Sequence, residues 1–99
     1  MQLTKTQVKD TLTYVLSGRL DTVTAPDLCK EIETMPVEIK QLVLDFDGLE
    51  YISSAGIRAV LTAQKKMNKQ GNLTLRHVCP SVLEVFELTG FADILHIEK

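Results

Sequence analysis

Residues 42–61 read LVLDFDGLEYISSAGIRAVL. The apolar run Gln41–Phe46 predicts a strand, and its near-continuous hydrophobicity suits a strand covered on both faces. Asp47-Gly48 has the chemistry of a turn. Two hydroxyls, Ser53 and Ser54, then stand before a helix predicted from Ser54 to about Lys69. Ile57, Val60, Leu61 and Gln64 lie along one side of that helix, with Ala59, Ala63 and Met67 beside them. Arg58, Thr62, Lys65 and Lys69 form the opposite stripe, an ordinary solvated face that is also a candidate partner surface. Lys65, Lys66 and Lys69 suit the negative end of the helix dipole, and Gly71 is a natural stop.

Working outward, Leu3–Val8 reads as a first strand and Leu12–Ser17, β-branched and aromatic in composition, as a second, and together they predict an antiparallel hairpin across a turn at Lys9-Asp10. Residues 18–23 read as a connection. Thr24-Ala25-Pro26-Asp27 is a helix start, with a capping hydroxyl, a first-turn proline and an acid at the positive dipole end. Leu28, Ile32 and Met35 give that helix one apolar stripe, and Pro36 closes it. After Gly71, Leu73–Val78 predicts a strand and Pro80 starts a third helix through Leu88. Gly90 is expected in the left-handed conformation as its stop, and Ile94–Ile97 as a last short strand. Leu88, Phe91 and Ile94 read as core. The order ββαβαβαβ predicts an α/β sandwich, one domain over residues 1–99, with helices packed on a mixed sheet.

The charge balance, 13 acids against 11 bases for a net −2, weighs against direct nucleic-acid binding, which needs a basic footprint. Cys29 and Cys79 are far apart with no metal-ligand spacing, so both read as reduced structural thiols. The N-terminus lacks a charged segment followed by an apolar one, and no run approaches a membrane span. The expected location is the cytoplasm, with no membrane partner, no metal and no cofactor.

The hydroxyl pair admits three roles. Ser53 or Ser54 can cap the helix, satisfying one of its orphan N–H groups. Either can be a nucleophile, but Ile52 occupies the place where a hydrolase elbow has glycine, and His77 and His96 sit in strand-like segments without an acid to complete a triad. No glycine pattern cradles a nucleotide phosphate. The third role is phosphorylation. A helix start welcomes a phosphate, and Ala55 and Gly56 leave little bulk around the hydroxyl, so an incoming protein can reach it. Asp45, Asp47 and Glu50 precede the serines, so an added dianion would deepen an acidic patch.

Taken with SGRLDTVTAPDL (residues 17–28) and HVCPSVLEVFELTGFADILHI (residues 77–97), residues 42–61 resemble the STAS domain, and specifically the bacterial anti-sigma factor antagonists. The resemblance covers nearly the whole chain. It implies a non-enzymatic switch that, unphosphorylated, binds an anti-sigma factor serine kinase and frees a sigma factor for transcription. The kinase ends the complex by phosphorylating the switch, and a PP2C-type serine phosphatase resets it. Aligning the motif puts the phosphoacceptor at Ser54, with Ser53 the second candidate where the family often has Asp. It also places Asp21, Thr24, Ser53, Ser54, Ala55, Gly56 and Arg58 at the partner surface, Asp21 contacting the kinase or steering the serine. The alternative within the same fold is an accessory subunit of a lipid or anion transport system.

Overall fold

The computed structural model describes residues 1–98. Strands β1 (Gln2–Val8), β2 (Thr11–Leu20), β3 (Gln41–Ile52) and β4 (Asn72–Arg76) form one sheet in chain order. The β1–β2 pair is antiparallel, as the hairpin reading expects, and β2–β3 and β3–β4 are parallel. Helices α1 (Ala25–Glu33), α2 (Ser54–Gln70) and α3 (Pro80–Leu88) supply the crossovers and the cover. The α/β class with a mixed sheet is the one expected.

The core follows from alternation. Leu12, Tyr14 and Leu16 of β2, Leu42, Leu44 and Phe46 of β3, and Leu73 and Leu75 of β4 are all buried at every second position. Leu28 and Ile32 of α1, Ile57, Val60, Ala63 and Met67 of α2, and Val82 and Phe86 of α3 join them in a single cluster. Phe86 meets Phe46 at 6.4 Å between ring centroids. The opposite side of the sheet carries Thr4, Thr6, Thr11, Thr13 and Val15, exposed or half-buried. β3 is therefore helix-covered on one face, not two; Val43 is shielded on the other by its position between Thr13 and Thr74 in the neighbouring strands.

Three local readings are corrected. Asp47-Gly48 does not turn the chain: β3 continues to Ile52, with the register to β2 shifting between Val15 and Ser17 and again between Gly18 and Arg19. The Asp45 carboxylate accepts the Asp47 N–H at 3.0 Å, so turn chemistry here makes a bulge instead of a reversal. β4 ends at Arg76, because His77 adopts φ +56°. The predicted last strand is absent. Phe91–Asp93 coils into a 3₁₀ turn, and only Ile97 bridges Leu75, through Leu75 N–H to the His96 carbonyl at 2.9 Å and Glu98 N–H to the Leu75 carbonyl at 2.8 Å. Gly90 does take φ +80° as the stop after α3. Leu88 and Ile94 are 79% and 60% exposed and Phe91 is half-buried, so none of the three belongs to the core interior.

Two polar devices fix the helices. Lys66 of α2 reaches the end of α1, where its ammonium donates to the carbonyls of Ile32, Glu33 and Met35 at 2.8, 3.1 and 3.1 Å. It thus caps α1 and not, as read from sequence, its own helix. Gln70 donates from Nε2 to the carbonyls of Pro36 and Ile39. Lys66→Met keeps the stem but leaves three carbonyls without their charged donor. It is expected to destabilise the fold by about 2 kcal/mol, on the scale of hydrogen bonds to charged groups. In a domain of this size that lowers the melting temperature by about 10 °C, measurable by circular dichroism.

Tyr14, buried beneath α1, donates its hydroxyl to Glu31 Oε1 at 3.2 Å. Burial first, then the Glu31 charge and hydrogen bond, push the phenol up to about 12 from its ordinary 10.0. A folded-state value above the unfolded one gives a stability contribution that is complete below pH 10 and disappears as the pH rises through about 12. Urea melts of the wild type and Tyr14→Phe across that window are expected to show the wild type losing its advantage as pH rises; a constant gap would contradict this.

Candidate switch site

The two bulges extend β3 far enough to set its end beside the end of β2. Arg19 pairs with Tyr51 and Leu20 with Ile52, and the Ser53 N–H donates to the Leu20 carbonyl at 2.9 Å. This anchors the first turn of α2 against the β2–α1 connection. The serines, equivalent in the sequence, divide their roles. Ser53 is the N-cap: its backbone is extended, its Oγ accepts the Gly56 N–H at 3.4 Å, and its carbonyl accepts the Ile57 N–H at 2.9 Å. Ser54 is the first helical residue, and it is exposed. Its hydroxyl makes no hydrogen bond to another described residue and stands where the first-turn N–H groups have no intrahelical acceptor.

Asp21 and Thr24 form a tight loop next to this helix start. The Asp21 carboxylate accepts the N–H groups of Val23 and Thr24 at 3.0 and 3.2 Å. The Thr24 hydroxyl accepts the Asp21 N–H at 2.9 Å and donates to the Arg19 carbonyl at 2.7 Å, so Thr24 braces the loop without making the helix-capping bond expected of it. Desolvation pushes the Asp21 carboxyl up, but the bonds from Thr24, Val23 and Arg19 outweigh it and hold it below the ordinary carboxylate range. Asp21 is thereby a fixed negative charge. Arg19 approaches it at 3.5 Å and lies 4.0 Å from the centre of the Tyr51 ring, a cation–π pair at the strand ends. Val23, 82% exposed, stands on the same loop.

The remaining expected residues sort by geometry. Arg58 is exposed one helical turn beyond Ser54. Ala55 is half-buried and Gly56 fully so. Gly56 is small because α2 crosses β2 and β3 there; a Cβ on it would lie 2.5 Å from the Leu20 carbonyl oxygen and 2.7 Å from Ile52 Cγ1. Its lack of bulk serves that packing and not access to the hydroxyl. Asp45 is not beside the serines. Its β2 partner is Val15 and that of Ile52 is Leu20, so it sits about 17 Å back along the sheet, five residues at the usual rise of a strand, and its carboxylate engages His77 Nδ1 at 2.9 Å. Asp45 therefore does not contribute to an acidic patch at Ser54, whereas Asp21 stands on the loop anchored beside the helix start. Arg19, Tyr51 and Val23 were not singled out from sequence. The first two meet only through cross-strand register, and an exposed valine leaves no periodic signal.

The two histidines and two cysteines bring no nucleophile to this site. His77 pairs with Asp45, His96 lends its backbone to the bridge with Leu75, Cys29 lies on α1 and Cys79 precedes α3. Among the described residues no group of three or more His, Cys, Asp or Glu side chains could hold a metal ion, and no helix is long and apolar enough to cross a membrane.

A parallel ladder extended by a hairpin, with a hydroxyl raised at the start of the helix after its longest strand, defines the class. The chain belongs to the STAS domain family, whose profile matches residues 2–99. Within that family it is 36% identical over 99 residues to BtrV of Bordetella bronchiseptica, named as a candidate anti-sigma factor antagonist, covering 98% of this chain and 85% of that one. It is 28% identical over 92 residues to the anti-sigma-B factor antagonist of Listeria monocytogenes, covering 91% and 81%. Its fold is that of the anti-sigma factor antagonist SpoIIAA in its unphosphorylated form, with TM-score 0.78 at 18% identity over 99% of this chain and 88% of that one. A sulfate transporter family protein from Wolinella succinogenes has the same fold, with TM-score 0.80 at 20% identity over 89% and 75%.

Proposed function

We propose that this protein is a phosphorylation-controlled anti-sigma factor antagonist. In its unphosphorylated form it binds an anti-sigma factor serine kinase in the cytoplasm, which frees a sigma factor. Ser54 is the phosphoacceptor, and a PP2C-type serine phosphatase removes the group. The docking surface is Ser54 with Asp21, Thr24, Ser53, Ala55 and Arg58, joined by Arg19, Val23 and Tyr51; buried Gly56 supports it from below. The protein itself performs no chemistry.

The observation that carries this reading is the division between the serines. Ser53 is committed to the helix cap, whereas the exposed Ser54 hydroxyl has no bond to another described residue to lose. A phosphate on Ser54 sits at the positive end of α2, with Arg58 one turn away, so the folded chain accommodates it. A docked partner does not, because it must desolvate a dianion beside the fixed carboxylate of Asp21. The relatives named as anti-sigma factor antagonists support the partner class.

Incubation with the partner kinase and ATP, followed by phosphosite mapping, is expected to find phosphate on Ser54 in the wild type and in Ser53→Ala. Phosphate on Ser53, or on neither, overturns the assignment. The fold shared with the transporter family protein supports one second reading, an accessory subunit of a transport system. A pull-down separates the two: a kinase and its sigma factor on the first reading, transport subunits on the second.

A further inference from the structure

The far end of α2 carries a feature the switch does not use. Val37, Lys40, Lys65, Lys66, Lys69 and Gln70 line a groove of about 660 Å³ between the α1–β3 connection and the last turns of α2. Lys66 and Gln70 tie the end of α1 and the connection after it to α2 through five backbone bonds, so the groove is preformed. Lys40, Lys65 and Lys69 are exposed and have no carboxylate partner among the described residues. Three ammonium groups without a carboxylate partner among the described residues thus line one groove, Lys40 also donating to the Val37 carbonyl at 3.5 Å, in a chain whose overall charge is −2. The sequence shows only half of this, because Lys40 lies 25 positions before Lys65.

We propose that this groove docks an acidic peptide segment of a protein partner, at a surface separate from Ser54. Charge complementarity selects an anion, and its concentration in one groove of an acidic protein makes the attraction local. The groove wall selects a peptide over a bare polyanion. Val37 is 69% exposed there and offers apolar contact that a phosphate chain leaves unused. Among the described residues, no aromatic or arginine side chain lines the groove to stack on bases. Lys65 lies about 17 Å along the helix from Ser54, given its rise per residue. Phosphorylation and acidic docking therefore act at different places, so a partner can stay tethered here while the switch face is released.

The test uses a fluorescein-labelled peptide of glutamates flanking a central leucine, followed by anisotropy in low-salt buffer. Saturable binding is expected. The Lys40→Gln, Lys65→Gln, Lys69→Gln triple variant should weaken it about tenfold, the summed effect of three rim charges. Val37→Ser should weaken it less, and Ser54→Asp should leave it unchanged. These side chains are exposed, and a circular dichroism melt checks that each variant is folded. Unchanged binding by the triple variant overturns the proposal, as does the absence of saturable binding. Equal or tighter binding of oligo-dT, or of phosphatidylserine vesicles, also overturns it, in favour of nucleic acid or membrane.

Discussion

Ser54→Asp is expected to weaken the complex with the partner kinase about tenfold or more, while Ser54→Ala binds as tightly as the unmodified protein and resists dissociation by ATP. Regulatory couplings of about 1–3 kcal/mol correspond to roughly five- to 150-fold in affinity. Aspartate carries one charge where a phosphate carries up to two, so it belongs near the lower part of that range. The Ser54 hydroxyl is exposed and makes no hydrogen bond to another described residue, so neither substitution removes a described contact that holds the domain together. Both variants should melt close to the wild type. Calorimetric titration against the kinase reads the affinity; equal binding by the two variants would remove the switch from Ser54.

A larger effect on folding is expected from two glycines whose places are set by approaching backbone. Gly56 sits in the first turn of α2, and on intrinsic helix propensity an alanine there would gain about 1 kcal/mol. Sterics reverse the sign. The added Cβ would meet the Leu20 carbonyl oxygen at 2.5 Å and Leu20 Cγ at 2.9 Å, and the carbonyl cannot retreat because it also accepts the Ser53 N–H. Overpacking of this kind costs about 1–3 kcal/mol and sometimes more, so Gly56→Ala should destabilise by about 2 kcal/mol and lower the melting point by about 10 °C. At Gly71 a Cβ would run into the Lys40 carbonyl oxygen, which accepts the Asn72 N–H where β3 and β4 begin. Gly71→Ala should be the more damaging, to the point of abolishing cooperative thermal unfolding. Gly56→Ala should also displace the start of α2 and weaken kinase binding, whereas the clash at Gly71 lies at the other end of the helix.

These sites also show where the sequence was readable. The hairpin, the three helices and the stops at Gly71 and Gly90 follow from periodicity and from residues with one local use. Asp47-Gly48 has two uses, a turn or a bulge, and only the register with β2 decides between them. That choice carried Asp45, one of the three acids expected there, away from the serines and onto His77. The segment Ile94–Ile97 has strand composition, but the 3₁₀ turn before it leaves a single bridge to β4. Leu88 and Ile94 are apolar enough for a core, yet alternation cannot say whether an element lies opposite them. The serine pair shows the same limit at the site. Capping preferences allow either hydroxyl to close the helix, and the choice of Ser53 depends on the Leu20 carbonyl fixing its backbone. Arg19 and Tyr51, like Lys40 and Lys65, become neighbours only when distant segments are laid side by side.

The most direct measurement pairs stability with affinity on protein carrying phosphoserine at position 54. Folding should be preserved, with the melting temperature within a few degrees of the unmodified chain on the scale of a surface charge. Association with the kinase should fall by about tenfold or more. A phosphorylated chain that binds as tightly as before, or that dissociates only because it has unfolded, contradicts the account.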